Sequence, residues 1–189
     1  KPFIYNMNLV LNDKFKCSSS GDVKHDVLKV NTSLTCRDFD IMHYKPYILK
    51  AASKELDEND ADLKNATLDF DLSAVIYEDK INLSESKITL NKLQINKKSK
   101  SNKLLTLQKF EVKSTNLELK TKAEPMGVAL KNLDVRLDNL ALVDYSISTA
   151  QTHKIDKITL NAKDINAEEK TWLKYALNVK LNQGGLISS

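Results

Sequence analysis

Ile88-Thr89-Leu90, then Leu93-Gln94-Ile95: two apolar pairs, each alternating with a polar residue, separated by a break that shifts the alternation. This stretch decides the fold, because the same phrase returns three more times. The second copy is Phe110-Glu111-Val112 with Leu117-Glu118-Leu119. The third is Leu133-Asp134-Val135-Arg136-Leu137 with Leu140-Ala141-Leu142, and the fourth is Ile158-Thr159-Leu160 with Ile165. Phrase starts recur after 22, 23 and 25 residues. Period-two alternation is the mark of a strand with one covered face, and a series of such units extends a sheet by repetition. The gaps from Leu90 to Leu93 and from Leu107 to Phe110 are odd. An extra residue at such a gap implies a bulge or short corner that keeps the apolar set on one side while bending the sheet. Repeated bends in one sense curl it into a trough.

Composition agrees with a sheet that is not a sealed globule. The 189 residues include only 4 Gly and 3 Pro, few for a compact protein rich in tight turns, and aromatics make up 6%. A hydrophobic fraction of 41% suits a sheet with one buried face and is low for a sandwich closed on both sides. Charge is abundant but mixed, with 29 basic and 25 acidic residues giving +4. Arg37 and Arg136 are the only arginines, so the Arg forks and aromatic stacking of nucleic-acid readers are not concentrated here. Lysine instead coats strand faces and blunts sheet edges, with weak attraction to anionic membrane surfaces as the functional competitor.

Cys17 and Cys36 flank an expected hairpin, out along 15–23, turning near Lys24-His25-Asp26, and back along 28–36. A turn centred near residue 26 or 27 places them opposite each other, where a disulfide fits. Two cysteines so placed favour an oxidising compartment; the alternative is two unrelated thiols. His25 and His43 complete no zinc-ligand spacing, and no metal is expected.

Strands are expected over 3–11 and 15–41. Pro46 then opens a short amphipathic helix near 46–56, and Asp57–Asp62 reads as an acidic loop. Leu68, Phe70, Leu72, Ala74 and Ile76 form the clearest alternating run, with Asp69, Asp71 and Ser73 on the other face. Polar connectors are expected at 97–103, 123–127 and 167–171, before a last alternating run at Tyr175, Leu177, Val179 and Leu181. The ends at Lys1-Pro2 and Ser188-Ser189 read as cuts through a longer protein, with sub-units of roughly 1–62 and 63–189. No run of about 18 apolar residues is present to span a bilayer as a helix. No phosphate loop, nucleophile elbow or paired metal motif occurs, and the Asp69/Asp71 doublet lies on the solvent side. The chain is therefore read as non-enzymatic and without a cofactor.

The passage from Asp40 through Lys45-Pro46-Tyr47-Ile48 resembles a recurring element of AsmA-like bacterial envelope proteins, in their branch called domain of unknown function 748, with TamB as a relative. There too an apolar strand runs into a Pro-Tyr segment and a short helix, followed by a long strand such as 66–77 here. The blocks 133–140, 143–147 and 181–186 are similar to the family's succession of strand, outward loop, strand and glycine-led new strand. The resemblance implies a mainly β architecture: an elongated, twisted, largely antiparallel sheet curled into an apolar groove. It also implies a periplasmic setting, inner-membrane anchoring outside this fragment, and a role in moving phospholipid or another acyl lipid. The expected groove residues are Leu68, Phe70, Leu72, Ala74, Ile76, Ile88, Leu90, Phe110, Val112, Leu133, Val135, Leu137, Leu177 and Val179. No nucleic-acid partner is expected, while self-association through the apolar face or cut sheet edges is. The competing reading is a structural or adhesive β-repeat domain with a sealed core that binds proteins through its loops.

Overall fold

Alternation of apolar and polar residues over so much of the chain leaves one economical solution, a single sheet in which each strand pairs with the next. The computed structural model describes residues 1–11, 15–24, 26–47, 58, 60–99, 102–121, 127–145, 150–168 and 180–183. Nine strands follow in chain order: β1 (Phe3–Leu11), β2 (Phe15–Lys24), β3 (Lys29–Asp40), β4 (Ala61–Tyr77), β5 (Lys80–Lys97), β6 (Lys103–Lys120), β7 (Gly127–Asp144), β8 (Gln151–Glu168) and β9 (Lys180–Gln183). Their order in the sheet is their order in sequence, with no crossover, and every pair is antiparallel. Among the described residues the architecture is mainly β, one open meander with a short helical segment at 41–47.

Strands β5 to β8 are each 18 residues long, and each carries one copy of the repeated phrase. The break inside the phrase is a residue in the left-handed region: Lys92, Asn116, Asn139 and Asp164, with φ of 55°, 52°, 52° and 52°. These residues recur after 24, 23 and 25 positions, each immediately before the apolar residue that resumes the pattern. A left-handed residue turns the chain so that the next side chain returns to the same face. Asn and Asp tolerate this conformation better than other side-chain-bearing residues.

The sequence reading expected an inserted residue at these breaks, and that holds on one side of the sheet. Between β3 and β4, and between β4 and β5, the register shifts, as at Cys36/Phe39 and Asn65/Thr67. From β5 to β8 the solution is different. Asn91 pairs with Lys109 and Leu93 with Leu107, so Lys92 and Gln108 are both skipped and the register is kept. The next pairs skip Gln108 with Asn139, then Asn139 with Asp156. A second line crosses the strands the same way at Ser84, Asn116, Lys131 and Asp164. Neighbouring strands thus change phase at the same level, and no extra residue is required.

Helix and strand limits also depart from expectation at the middle of the chain. Strand β3 ends at Asp40, whose side chain accepts a hydrogen bond from the Met42 amide at 2.9 Å and caps a 3-10 helix at Ile41–Tyr44. Residues 45–47 continue as helix; the rest of the helix expected over 46–56 lies outside the described residues. Strand β4 begins at Ala61, so Ala61 and Asp62, expected in an acidic loop, are in the sheet. Asp62 is accommodated because Lys45 and Lys64 approach its carboxylate at 2.6 and 2.7 Å. At the β2–β3 end, Phe39 packs edge-on against Phe15 at 5.1 Å and stacks on Tyr44 at 4.9 Å. The hairpin register places Cys17 opposite Cys36, and the two are joined by a disulfide.

Of the four phrase-breaking residues only Lys92 is neither Asn nor Asp, which makes it a site of avoidable strain. A left-handed conformation costs an ordinary L-residue about 1–2 kcal/mol. Lys92→Asn is expected to raise the midpoint of urea unfolding. Lys92→Val, β-branched and disfavoured still more strongly in this region, is expected to lower that midpoint.

Candidate functional site

Directly paired residues in an antiparallel ladder point to the same side of the sheet, so the register alone sorts the side chains. One row runs Cys17, Cys36, Phe70, Ile88, Val112, Val135, Leu160 from β2 to β8. The next runs Phe39, Leu68, Leu90, Phe110, Leu137, Ile158. Leu72, Ser86, Ser114, Leu133 and Ala162 form a third, and Ala74 and Ile76 head two more. Twelve of the sequence-expected groove residues, from Leu68 to Leu137, therefore share one face. Leu177 and Val179 lie outside the described residues.

The phase change brings a second set to the same face. Leu93, Leu107, Leu140 and Ile155 form a row beyond it, followed by Ile95, Leu105 and Leu142. These were not among the expected groove residues, although the second half of each phrase is the signal that marks them. The hydroxyls of Ser86 and Ser114, also missed, hydrogen-bond to each other in the middle of the apolar rows. Their mutual bond removes most of the cost of placing them there.

Burial over this face is uneven. Cys36, Ala61, Leu63, Ala66, Leu107 and Ala162 are the buried apolar residues among those described. Most large side chains in the rows are only half-buried, and Ile88, Leu142 and Ile158 are 45%, 40% and 37% exposed. A depression of about 170 Å³ sits where the face meets the 3-10 helix, lined by Leu11, Phe15, Phe39, His43, Tyr44 and two aspartates, Asp38 and Asp40.

The opposite face is polar and laced across the strands. Asp69, read from sequence as half of a solvated carboxylate doublet, accepts from the Asp38 amide at 2.8 Å and from Asn91 Nδ2 at 2.9 Å. Asp71 holds Arg37 at 2.6 Å and accepts from Thr35 Oγ1 at 3.1 Å. Glu85 meets Lys113 at 2.9 Å, and Glu118 meets Lys80 at 3.2 Å. Glu111 lies between Lys109 at 2.7 Å and Lys87 at 3.4 Å. Its carboxyl is held below the ordinary value chiefly by the hydrogen bond from Lys109, against the opposing effect of burial. Asp62 is likewise lowered, first by Lys45 and then by Lys64. A polar depression of about 550 Å³ on this side follows the line of phase changes past Lys92, Gln108 and Asn139.

Among the described residues no group of three His, Cys, Asp or Glu side chains is placed to hold a metal ion. No helix there is long and apolar enough to cross a membrane. Compared with known protein families, curated proteins and solved structures, the chain matches none.

The pairing of Glu111 sets a pH dependence. A carboxyl whose folded value is depressed stabilises the fold above its unfolded pKa and loses that contribution as pH falls through the folded value. Glu111→Gln is expected to unfold at lower urea than the parent at pH 7. The two midpoints are expected to converge as the pH drops below about 4.

Proposed function

We propose that this chain is a non-enzymatic lipid-binding segment whose apolar sheet face forms a groove for acyl chains, leaving head groups in water. The observation that carries the reading is the half-exposed aliphatic face, continuous in register from β4 to β8, with Ile88, Leu142 and Ile158 well exposed on it. Contiguous exposed apolar surface beyond a few hundred Å² marks a binding surface. A sealed structural domain places such residues inside.

Chemistry and dimensions fit an acyl chain. Each buried methylene contributes about 0.8 kcal/mol, so a fatty-acyl tail needs no directional contact to be held. A row from Phe70 to Leu160 crosses five strands, roughly 19 Å at ordinary strand spacing. That length accommodates the body of a long acyl chain. The charged opposite face keeps water on one side only, and the Cys17–Cys36 disulfide favours an oxidising compartment such as the periplasm. On this reading the chain is a segment of an AsmA-like envelope protein that supports lipid transport to the outer membrane.

The test is native mass spectrometry of the chain purified from bacteria, with extraction of whatever lipid accompanies it. Phospholipid is expected to co-purify. It is expected to be lost in Ile88→Asp/Ile158→Asp, whose positions are exposed enough for the fold to persist by circular dichroism. Thr106→Asp, on the polar face, is expected to retain it. A lipid-free parent that also rejects added phospholipid would leave a structural β-repeat as the better reading.

A further inference from the structure

The ring-on-ring contacts among the described residues all gather at one place, the depression where the apolar face meets the 3-10 helix. Phe39 is the middle ring, with Phe15 edge-on to it at 5.1 Å and Tyr44 stacked on it at 4.9 Å. His43 adds an edge contact to Tyr44 at 5.6 Å. These rings line a space of about 170 Å³, and two carboxylates, Asp38 and Asp40, line it with them. Asp40 is half-buried, and its bond from the Met42 amide fixes the carboxylate at the wall. Asp38 is fixed through its backbone, left-handed at φ 57° with its amide bonded to Asp69.

Charge at this wall is one-sided. The described residues that line it include no lysine or arginine. Arg37 and Lys45, which flank the 38–44 stretch, are engaged elsewhere, with Asp71 and Asp62, each at 2.6 Å. A carboxylate beside apolar surface gains from a counter-charge, and the rings select its kind. A strongly hydrated metal ion keeps water between itself and the rings, and no trio of His, Cys, Asp or Glu among the described residues is placed to hold one. A run of methylenes covers the rings but leaves the carboxylates unanswered. An N-alkylated ammonium answers both, because its charge is carried by methyl groups that lie against ring faces.

We infer that this depression binds the N-alkylated ammonium head of an amphiphile whose tail leaves along the row Phe39, Leu68, Leu90, Phe110, Leu137, Ile158. Phe39 belongs to both parts, as a wall of the depression and as the first residue of the row. Head and tail therefore meet at one side chain. The aliphatic rows from β4 to β8 hold any tail alike, so the head is chosen at the β3 end. The place of the tail rests on the lipid reading above; the head site does not.

The test is isothermal titration calorimetry of the full chain with paired probes. Free choline is set beside its neutral isostere, in which a tert-butyl group replaces the trimethylammonium. Lysophosphatidylcholine is set beside a monoacylglycerol of the same acyl chain, both below their micelle-forming concentrations. Choline and lysophosphatidylcholine are each expected to bind about tenfold more tightly than their partners. Asp38→Asn/Asp40→Asn retains a side chain tolerant of the left-handed residue and one able to cap the helix. It is expected to abolish both differences, with circular dichroism unchanged. Tyr44→Leu, which keeps apolar bulk without the ring, is expected to reduce them, whereas Asp156→Asn, at an exposed carboxylate on β8, is expected to alter neither. The head site stands if either pair is told apart by the parent and not by the double asparagine variant, and it is overturned if neither pair is. Lipids bound without discrimination leave the groove without the head site. Choline discriminated while both lipids are rejected leaves the head site without the groove.

Discussion

Phase is the constraint on which this sheet depends. A strand sends alternate side chains to opposite faces, so an 18-residue strand keeps one apolar face only if its backbone changes phase wherever its sequence does. Lys92, Asn116, Asn139 and Asp164 make that change by entering the left-handed region. A change in one strand alone would throw its neighbour out of step. From β5 to β8 the neighbour answers by skipping one residue at the same level, as Gln108 does beside Lys92 and again beside Asn139. Side-chain bonds reinforce these levels: Asn139 donates to Gln108, and Asp69 ties Asp38 to Asn91. Phase is therefore a property of the whole line across the sheet and not of any one strand.

An open sheet held this way has little interior, and its stability comes from neighbouring strands. Strands β5 to β8 touch chiefly the strands beside them, through ladder hydrogen bonds, apolar pairs on one face and ion pairs on the other. Exposed ion pairs are individually worth little. Glu111 is better placed, half-buried between two lysines and opposite the buried Thr89. The long lysine side chains lay aliphatic stems along the sheet while their charges reach water. At the other end β2 and β3 carry fewer large aliphatic residues, with a run of serines at Ser18, Ser19 and Ser20. There the disulfide and the Phe15–Phe39–Tyr44 cluster supply cross-links that apolar pairing does not.

Much of this was legible in the sequence because strand periodicity is a local signal. The phrase starting at Ile88 marked both the strand and its break. The alternation from Leu68 to Ile76 named the apolar face of β4 directly. The meaning of the break was harder to read, since an odd gap predicts a phase change without saying whether the partner gains a residue or skips one. That choice is made between strands, by matching Gln108 to Lys92 and Lys131 to Asn116. The Asn or Asp just before Leu117, Leu140 and Ile165 was an available clue, and Lys92 before Leu93 obscured it. Ser86 and Ser114 were unreadable for a related reason. Each interrupts the apolar pattern of its own strand, and only the register shows that they satisfy each other. Asp62 likewise looked like loop until the ammonium groups of Lys45 and Lys64 were seen beside it.

The two faces differ in what they leave available. On the polar side Asp69, Asp71, Glu85, Glu111 and Glu118 each hold a partner on a neighbouring strand or line, so their chemistry is directed at the sheet itself. On the apolar side the rows from β4 to β8 are mostly aliphatic, and the polar groups described among them include the Ser86–Ser114 pair, satisfied internally, and His153 opposite Leu142. A surface of that kind discriminates poorly among head groups and well between an acyl chain and water, because its contribution grows with each methylene covered. It also grows with each strand added, since every 18-residue strand brings the same two-part apolar phrase in phase with the last. Repetition here therefore scales one physical property, the length of a water-excluding strip. On the proposed lipid-binding reading, strip length is the property that matters, and the fold can extend it without building a separate site.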